Sequence, residues 1–202
     1  LSPLSADVVK GPLPCRNLAE LELQENDIEF RSGEWLTGFP ETYTSLVSLN
    51  FATVRSDVNY VDFVGLERLV ARCPLLKKLK LNKEITLDQL QRLLQLSPNL
   101  VELGTGSYSQ KQSLPQLSEL QTALGNCNSL RSLSVIWEVV PVFVPTLYPV
   151  CANLTSLNLS DVLLPTTDFQ ELISHCPKLQ RLLVSPSKLS WPLVDSEFFH
   201  CK

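Results

Sequence analysis

Residues 72–82 read RCPLLKKLKLN. A cysteine and a proline stand just ahead of a short run rich in leucine and lysine. The chain repeats this arrangement at 175–184, HCPKLQRLLV, and in weaker form at 150–159, VCANLTSLNL. A single apolar run has many readings, whereas a recurring one points to a repeat architecture. The underlying pattern is Leu-x-x-Leu-x-apolar. It begins at Leu18, Leu46, Leu76, Leu100, Leu130, Leu154 and Leu179, with Thr105 the one polar residue in the third position. The intervals are 28, 30, 24, 30, 24 and 25 residues. That spacing is near the leucine-rich-repeat range.

The segments between these runs carry a different period. Leu66, Leu69, Val70 and Cys73 are spaced i, i+3, i+4, i+7, as are Leu90, Leu93, Leu94 and Ser97. The same spacing returns at Leu120/Ala123/Leu124/Cys127, Val144/Leu147/Tyr148/Cys151 and Phe169/Leu172/Ile173/Cys176, and more loosely at Leu36/Phe39/Pro40/Tyr43. It marks one face of an α-helix. Thr86 with Gln89, and Thr167 with Gln170, match the capping-box pattern and predict two helix starts. Each cysteine is then read as the last inward residue of its helix, where a small apolar side chain suits a tight turn. Pro74, Pro98 and Pro177 stop the helices from continuing. Cys15, Cys73, Cys127, Cys151 and Cys176 share this phase. Stacked equivalent positions could also bring cysteines within disulfide reach, but helix periodicity accounts for all five as buried thiols.

The fold class that follows is α/β: a solenoid of leucine-rich repeats of the cysteine-containing subtype. Parallel strands line the concave face and helices the convex face, each unit burying its apolar side against its neighbours. Side chains alternate along a strand, so the polar positions between the leucines face the concave side. Glu20, Glu22, Lys78, Lys80, Asn82, Glu102, Asn158 and Arg181 are the candidate interaction surface there. Lys78 and Lys80 raise the thought of a bound phosphate, but pairing with Glu20 or Glu102 across the sheet suits them better. The last strand, Leu182 to Val184, would present an open edge and a poorly covered apolar side.

Composition narrows the function classes. The 202 residues are 44% hydrophobic and 19% charged, with a net charge of −4, which gives no support to a nucleic-acid or anionic-membrane surface. The longest apolar stretch, Val135 to Cys151, is interrupted by Glu138, Pro141, Pro145 and Pro149, so no membrane span is expected. Six cysteines without a CxxC pair, and two histidines, give no zinc-ligand spacing. GTG at 104–106 lacks the third glycine of a dinucleotide site. His175 beside Cys176 raises the thought of an activated thiolate, yet a histidine at a helix C-terminus next to a structural cysteine explains the pair. No catalytic, metal or cofactor-binding residue is assigned, and no enzymatic activity is expected. Asn153-Leu-Thr155 and Asn158-Leu-Ser160 are sequons that would suit an extracellular repeat protein. Leucine-rich strands generate such triplets by chance, and glycans there would crowd the concave face.

Longer stretches carry a resemblance. NLAELELQENDIEFRSGEWLTGFPETYTSL (17–46), YTSLVSLNF (43–51), LERLVARCPLLKKLKLN (66–82), LVELGTGSY (100–108), NLTSLNLS (153–160) and CPKLQRL (176–182) resemble, in order and spacing, the plant auxin-receptor F-box proteins. This is the transport-inhibitor-response and auxin-signalling F-box family. The jasmonate-receptor F-box protein is similar too, but less so at GTGSY. The resemblance implies a nuclear substrate-recognition subunit of an SCF ubiquitin ligase. Such a subunit binds a Skp-type adaptor, and through it a cullin, by an N-terminal F-box. It holds inositol hexakisphosphate and auxin, and directs Aux/IAA repressors to degradation. It covers about residues 15–184. Residues 1–14 and 185–202 depart from the pattern, no F-box-like segment precedes residue 15, and the family's later repeats do not follow 184. The positions matching the family's hormone and inositol-phosphate contacts fall outside the chain, so no ligand-binding residue is carried over and the chain is expected to be part of such a protein. The alternative readings are an intracellular leucine-rich-repeat interaction module without a hormone role, or a jasmonate-receptor-like F-box protein.

Overall fold

The computed structural model describes residues 17–22, 44–50, 63–81, 86–105, 114–135, 143–160, 162, 164–185 and 189–190. Its main sheet is parallel and is assembled in chain order: β1 (Glu20–Glu22), β2 (Ser48–Asn50), β3 (Lys78–Lys80), β4 (Glu102–Thr105), β5 (Ser132–Val135), β6 (Ser156–Leu159) and β8 (Arg181–Val184). Helices α1 (Phe63–Ala71), α2 (Leu87–Leu96), α3 (Leu114–Gly125), α4 (Val144–Cys151) and α5 (Thr166–Ser174) alternate with these strands, and each packs on the next. A two-residue strand β7 (Leu164–Pro165) pairs with β9 (Leu189–Ser190) in a separate small sheet. This is the α/β leucine-rich-repeat solenoid expected from the spacing.

Register explains the period. Leu21, Leu49, Leu79, Leu103, Leu133, Leu157 and Leu182 stand opposite one another through all seven strands. A slip of one residue would turn every leucine to the wrong face. The five inner members are buried, whereas Leu182 on the last strand is 40% exposed and its neighbour Leu183 46%. The ladder therefore loses cover at β8, where an open edge was expected.

Hydrogen bonds repeat as regularly as the leucines. The carbonyl before each strand accepts two N–H groups from the following repeat. Ala19 O takes Val47 and Ser48, Val47 O takes Lys77 and Lys78, Lys77 O takes Val101 and Glu102, and so on to Thr155 O with Gln180 and Arg181. The turn from helix to strand also recurs. Leu76 N donates to Cys73 O, Leu100 N to Ser97 O, Leu130 N to Cys127 O, Leu154 N to Cys151 O and Leu179 N to Cys176 O, all at 3.0–3.3 Å. Proline at 74, 98 and 177 thus occupies the second position of a four-residue turn, which its locked φ suits.

Two local expectations need correction. Cys73, Cys127 and Cys176 do not end their helices but lie two residues beyond them; only Cys151 is a terminal helical residue. The last turn is instead closed by shorter i→i−3 bonds, Cys73 N to Val70 O, Cys127 N to Leu124 O and Cys176 N to Ile173 O, a common way for helix ends to tighten. The inward phase survives: Cys73, Cys127, Cys151 and Cys176 are buried and joined in no disulfide, while Cys15 lies outside the described residues. Secondly, Thr86 and Gln89 form a full capping box, Gln89 N to Thr86 Oγ1 at 3.3 Å and Thr86 N to Gln89 Oε1 at 3.0 Å. Thr167 and Gln170 do not, because α5 already starts at Thr166 after Pro165. The extended pair Leu164–Pro165, held in β7, starts the helix two residues earlier than the pattern suggested, and Thr167 falls inside the first turn.

Pro149 sits inside α4 and cannot donate to the carbonyl four residues back. Gln121 Nε2 on α3 donates to that same Pro145 carbonyl at 3.4 Å. A potential defect thereby becomes a contact between successive helices. On the next pair, Arg92 of α2 lies 4.7 Å over the Phe63 ring of α1 and near Glu67 and Asp88, at 3.7 and 3.4 Å.

Candidate interaction surface on the concave face

Two polar rows cross the sheet on the face opposite the leucine ladder. Register aligns Glu20, Ser48, Lys78, Glu102, Ser132, Ser156 and Arg181 in one, and Glu22, Asn50, Lys80, Gly104, Ser134, Asn158 and Leu183 in the other. Seven of the eight candidate residues from the sequence lie in these rows. Asn82 lies outside the described residues.

Charge is concentrated on β1 to β4. Lys80 Nζ meets Glu102 Oε1 at 2.8 Å, and Asn50 Nδ2 donates to Glu22 Oε1 at 3.0 Å. The lysine pairing expected from sequence holds for Lys80 but runs diagonally, since Lys78 is the residue directly opposite Glu102. Gly104 makes the diagonal possible. A Cβ there would come within 3.2 Å of Lys80 Cγ, so the lysine stem lies across the space a side chain would fill. Lys78 and Glu20 make no ion pair among the described residues. A shallow concavity of about 170 Å³ is lined by Glu20, Leu21, Glu22, Ser48, Asn50, Lys78, Lys80 and Glu102. Beyond β4 the surface becomes neutral and hydroxyl-rich through Ser132, Ser134, Ser156 and Asn158, and charge returns at Arg181. The Asn158 side chain is turned onto its own loop, its Oδ1 accepting from Ser160 N at 3.0 Å. Asn153, the other sequon asparagine, accepts from Lys178 Nζ at 3.2 Å.

The two rows offer ionic and hydrogen-bonding groups on one face of the sheet. Among the described residues no three His, Cys, Asp or Glu side chains are grouped to hold a metal, and no helix is long and apolar enough to cross a membrane. Gly104 lies within strand β4 rather than in a phosphate loop. The shifted ionisable groups lie away from the two rows. Burial raises the thiols of Cys73 and Cys127. Partial burial, and then a hydrogen bond to the Glu171 carboxylate, push the Tyr148 phenol up to about 12. His175 does not activate Cys176. Its ring stacks on Tyr148 at 3.9 Å, 5° from parallel, and its Nδ1 lies 2.9 Å from Glu171 O. Cys176 instead points inward, Sγ donating to Leu172 O at 3.3 Å.

Comparison with known proteins agrees with this architecture. Residues 106–198 match the family described as FBD-associated F-box protein At5g56370, LRR repeats. GRR1-like protein 1 of Arabidopsis thaliana is 50% identical over 170 residues, 84% of this chain and 28% of that protein. A Transport inhibitor response 1-like protein of Oryza sativa subsp. japonica is 49% identical over the same length, with the same coverage. Coronatine-insensitive protein 1 of Arabidopsis thaliana is more distant, at 27% over 168 residues, 83% of this chain and 27% of that protein. The chain's relatives are thus F-box and leucine-rich-repeat proteins, and the chain spans a little over a quarter of their length.

Proposed function

We propose that this chain is a repeat segment of the substrate-recognition subunit of an SCF-type ubiquitin ligase that perceives auxin and directs Aux/IAA repressors to degradation in the nucleus. The observation that carries the reading is the identity of about half over 170 residues with GRR1-like and Transport inhibitor response 1-like proteins, in a segment whose strands keep one register across seven repeats. Lower identity to Coronatine-insensitive protein 1 favours the auxin branch over a jasmonate-receptor-like role. The protein's part is to position a substrate, and the ubiquitin chemistry belongs to its partners. In this reading the Skp-type adaptor and cullin engage an F-box outside these repeats. Inositol hexakisphosphate and auxin are bound by the complete repeat array, and no residue described here is assigned to either. The concave rows from Glu20 to Arg181 serve as part of the protein-facing surface.

The test is a capture experiment with the complete product of the transcript that encodes this chain, purified with a Skp-type adaptor. Immobilised Aux/IAA degron peptide should retain it only when auxin is present. Failure to co-purify with the adaptor, or retention that ignores auxin, would overturn the proposal.

A further inference from the structure

Each strand of the main sheet is entered through a short segment, and these entries stack along one rim, because the carbonyl ahead of each strand is bonded to the next entry. Residues 17–19, 44–47, 72–77, 97–101, 126–131, 152–155 and 175–180 make up the rim. They contain Arg72, Lys77, Arg131 and Lys178 and no Asp or Glu, in a chain whose net charge is −4. The rim is therefore a basic strip on an acidic protein.

Three of these cations are held in place without being neutralised. Arg131 Nη1 donates to Asn128 O at 2.8 Å and to Leu130 O at 2.9 Å, which leaves other guanidinium N–H groups for a ligand. Lys178 Nζ donates to Asn153 Oδ1 across the repeat boundary at 3.2 Å, and Arg72 Nε to Arg68 O at 3.2 Å. All of these acceptors are uncharged. Lys77 is exposed just ahead of β3. The ion pairs among the described residues lie elsewhere, at Lys80 with Glu102 and around Arg92. Spacing along the rim is regular as well. Lys77 and Arg131 hold the same position ahead of β3 and β5, and Lys178 lies in the turn before β8, so the three belong to alternate strands of the sheet. At about 4.8 Å per strand they recur roughly every 10 Å.

We propose that this rim docks an acidic polypeptide segment, extended across the repeats, that presents a carboxylate at every third residue. An extended chain rises about 3.3 Å per residue, so residues i, i+3 and i+6 match cations roughly 10 Å apart. A carboxylate suits the free edge of Arg131 in particular, since a guanidinium holds one through two parallel N–H bonds. Asn99 and Asn128, exposed on the same rim, supply uncharged hydrogen-bonding groups for the partner's backbone. Single-stranded nucleic acid is the poorer occupant. It draws its affinity from many phosphate contacts and from base stacking, whereas the rim carries four cations and no Phe, Tyr or Trp. Docking here requires neither auxin nor an adaptor.

The probe is a repeating Asp-Gly-Ser peptide, biotinylated at its N-terminus and amidated at its C-terminus, with the matching Asn-Gly-Ser peptide as control. In the presence of a water-soluble carbodiimide its carboxylates form amides with the lysine amines they rest against, and mass spectrometry of the digested full chain places the adducts. Adducts should concentrate on Lys77 and Lys178, about three- to tenfold above Lys78 and Lys80 of the concave face, because each exposed ion pair is worth a factor of a few in binding. They should fade as salt approaches 1 M, where the screening length is about 3 Å, and the Asn peptide should give none. Arg131→Gln removes a cation that the reagent does not label, and should lower the yield on Lys77 and Lys178 by about threefold. Arg131→Lys, which keeps the charge, should restore most of it. Equal labelling of the rim and concave lysines would overturn the proposal, as would yields on Lys77 and Lys178 that ignore Arg131→Gln. Suppression of the labelling by oligothymidylate at a lower concentration than by the same peptide without biotin would overturn it too, and make the strip a nucleic-acid surface.

Discussion

Ser97 occupies the position that cysteine holds in the repeats around it, and its hydroxyl is the weak point of that turn. The residue is 4% exposed, and Oγ has no hydrogen-bond partner. A buried hydroxyl left unpaired costs about 1–3 kcal/mol. A thiol tolerates the same site better, being a small hydrophobe with a weak donor, and its longer bond reaches the carbonyl four residues back. Cys127 does this with Ala123 O and Cys176 with Leu172 O, at 3.5 and 3.3 Å; the equivalent acceptor for residue 97 is the Leu93 carbonyl. Ser97→Cys should therefore stabilise the chain by about 1–2 kcal/mol, a fraction of the penalty removed after allowing for the larger atom. For a domain of this size that is a rise of roughly 2–8 °C in the melting midpoint. The reciprocal change, Cys127→Ser, should lower it by a similar amount. Calorimetry of the two variants beside the parent checks both. A midpoint unchanged or lowered by Ser97→Cys, together with a neutral Cys127→Ser, would refute the claim that this turn selects an apolar thiol.

Three further outcomes follow from other parts of the fold. Leu133→Ala, in the covered middle of the ladder, should cost about 2–5 kcal/mol, whereas Leu182→Ala at the exposed end should cost well under half as much; urea unfolding midpoints would compare them. Thr86→Ala removes the α2 capping box and should cost about 1 kcal/mol, measurable in the same series, while Thr167→Ala, without a cap bond, should be near neutral. The Tyr148 phenol is raised in the folded state to about 12 from about 10 in an unfolded chain. The folded protein therefore binds this proton more tightly, and the associated stability is complete below pH ~10 and lost as pH rises through the folded value. Ultraviolet titration should show one late tyrosinate transition in the parent that Tyr148→Phe lacks; identical titrations after allowing for one fewer ordinary tyrosine would contradict the Glu171 contact.

The strands and their register were legible because leucine spacing is a direct image of stacking: a residue that recurs every 24 to 30 positions and alternates with polar neighbours has one consistent placement. The concave candidates followed from that alternation, and seven of them share the two polar rows. What sequence hid depends on direction within a repeat or on contacts between repeats. Lys80 pairs diagonally with Glu102 because Gly104 leaves room, and neither the diagonal nor the room is visible in a one-dimensional pattern. The Thr167/Gln170 motif is as good a capping box as Thr86/Gln89 in sequence, but the β7–β9 pair overrides it at Pro165. Five equivalent cysteine sites predict five equivalent thiols, whereas of the four described ones only Cys151 is still helical and the others lie two residues beyond their helices. The Gln121 bond to Pro145 O had a signal, a proline within a helix, though not the identity of its rescuer.

The reading of this chain as a segment of an auxin-dependent recognition subunit is tested most directly by titrating a fluorescent Aux/IAA degron peptide and following its anisotropy. The complete product, bound to its adaptor, and the 202-residue chain alone would each be titrated with and without auxin. The account predicts saturable binding by the complete product only in the presence of auxin, and none by the isolated segment under either condition. Binding by the complete product that is absent with auxin or unchanged by it, or auxin-dependent binding by the segment alone, would contradict it.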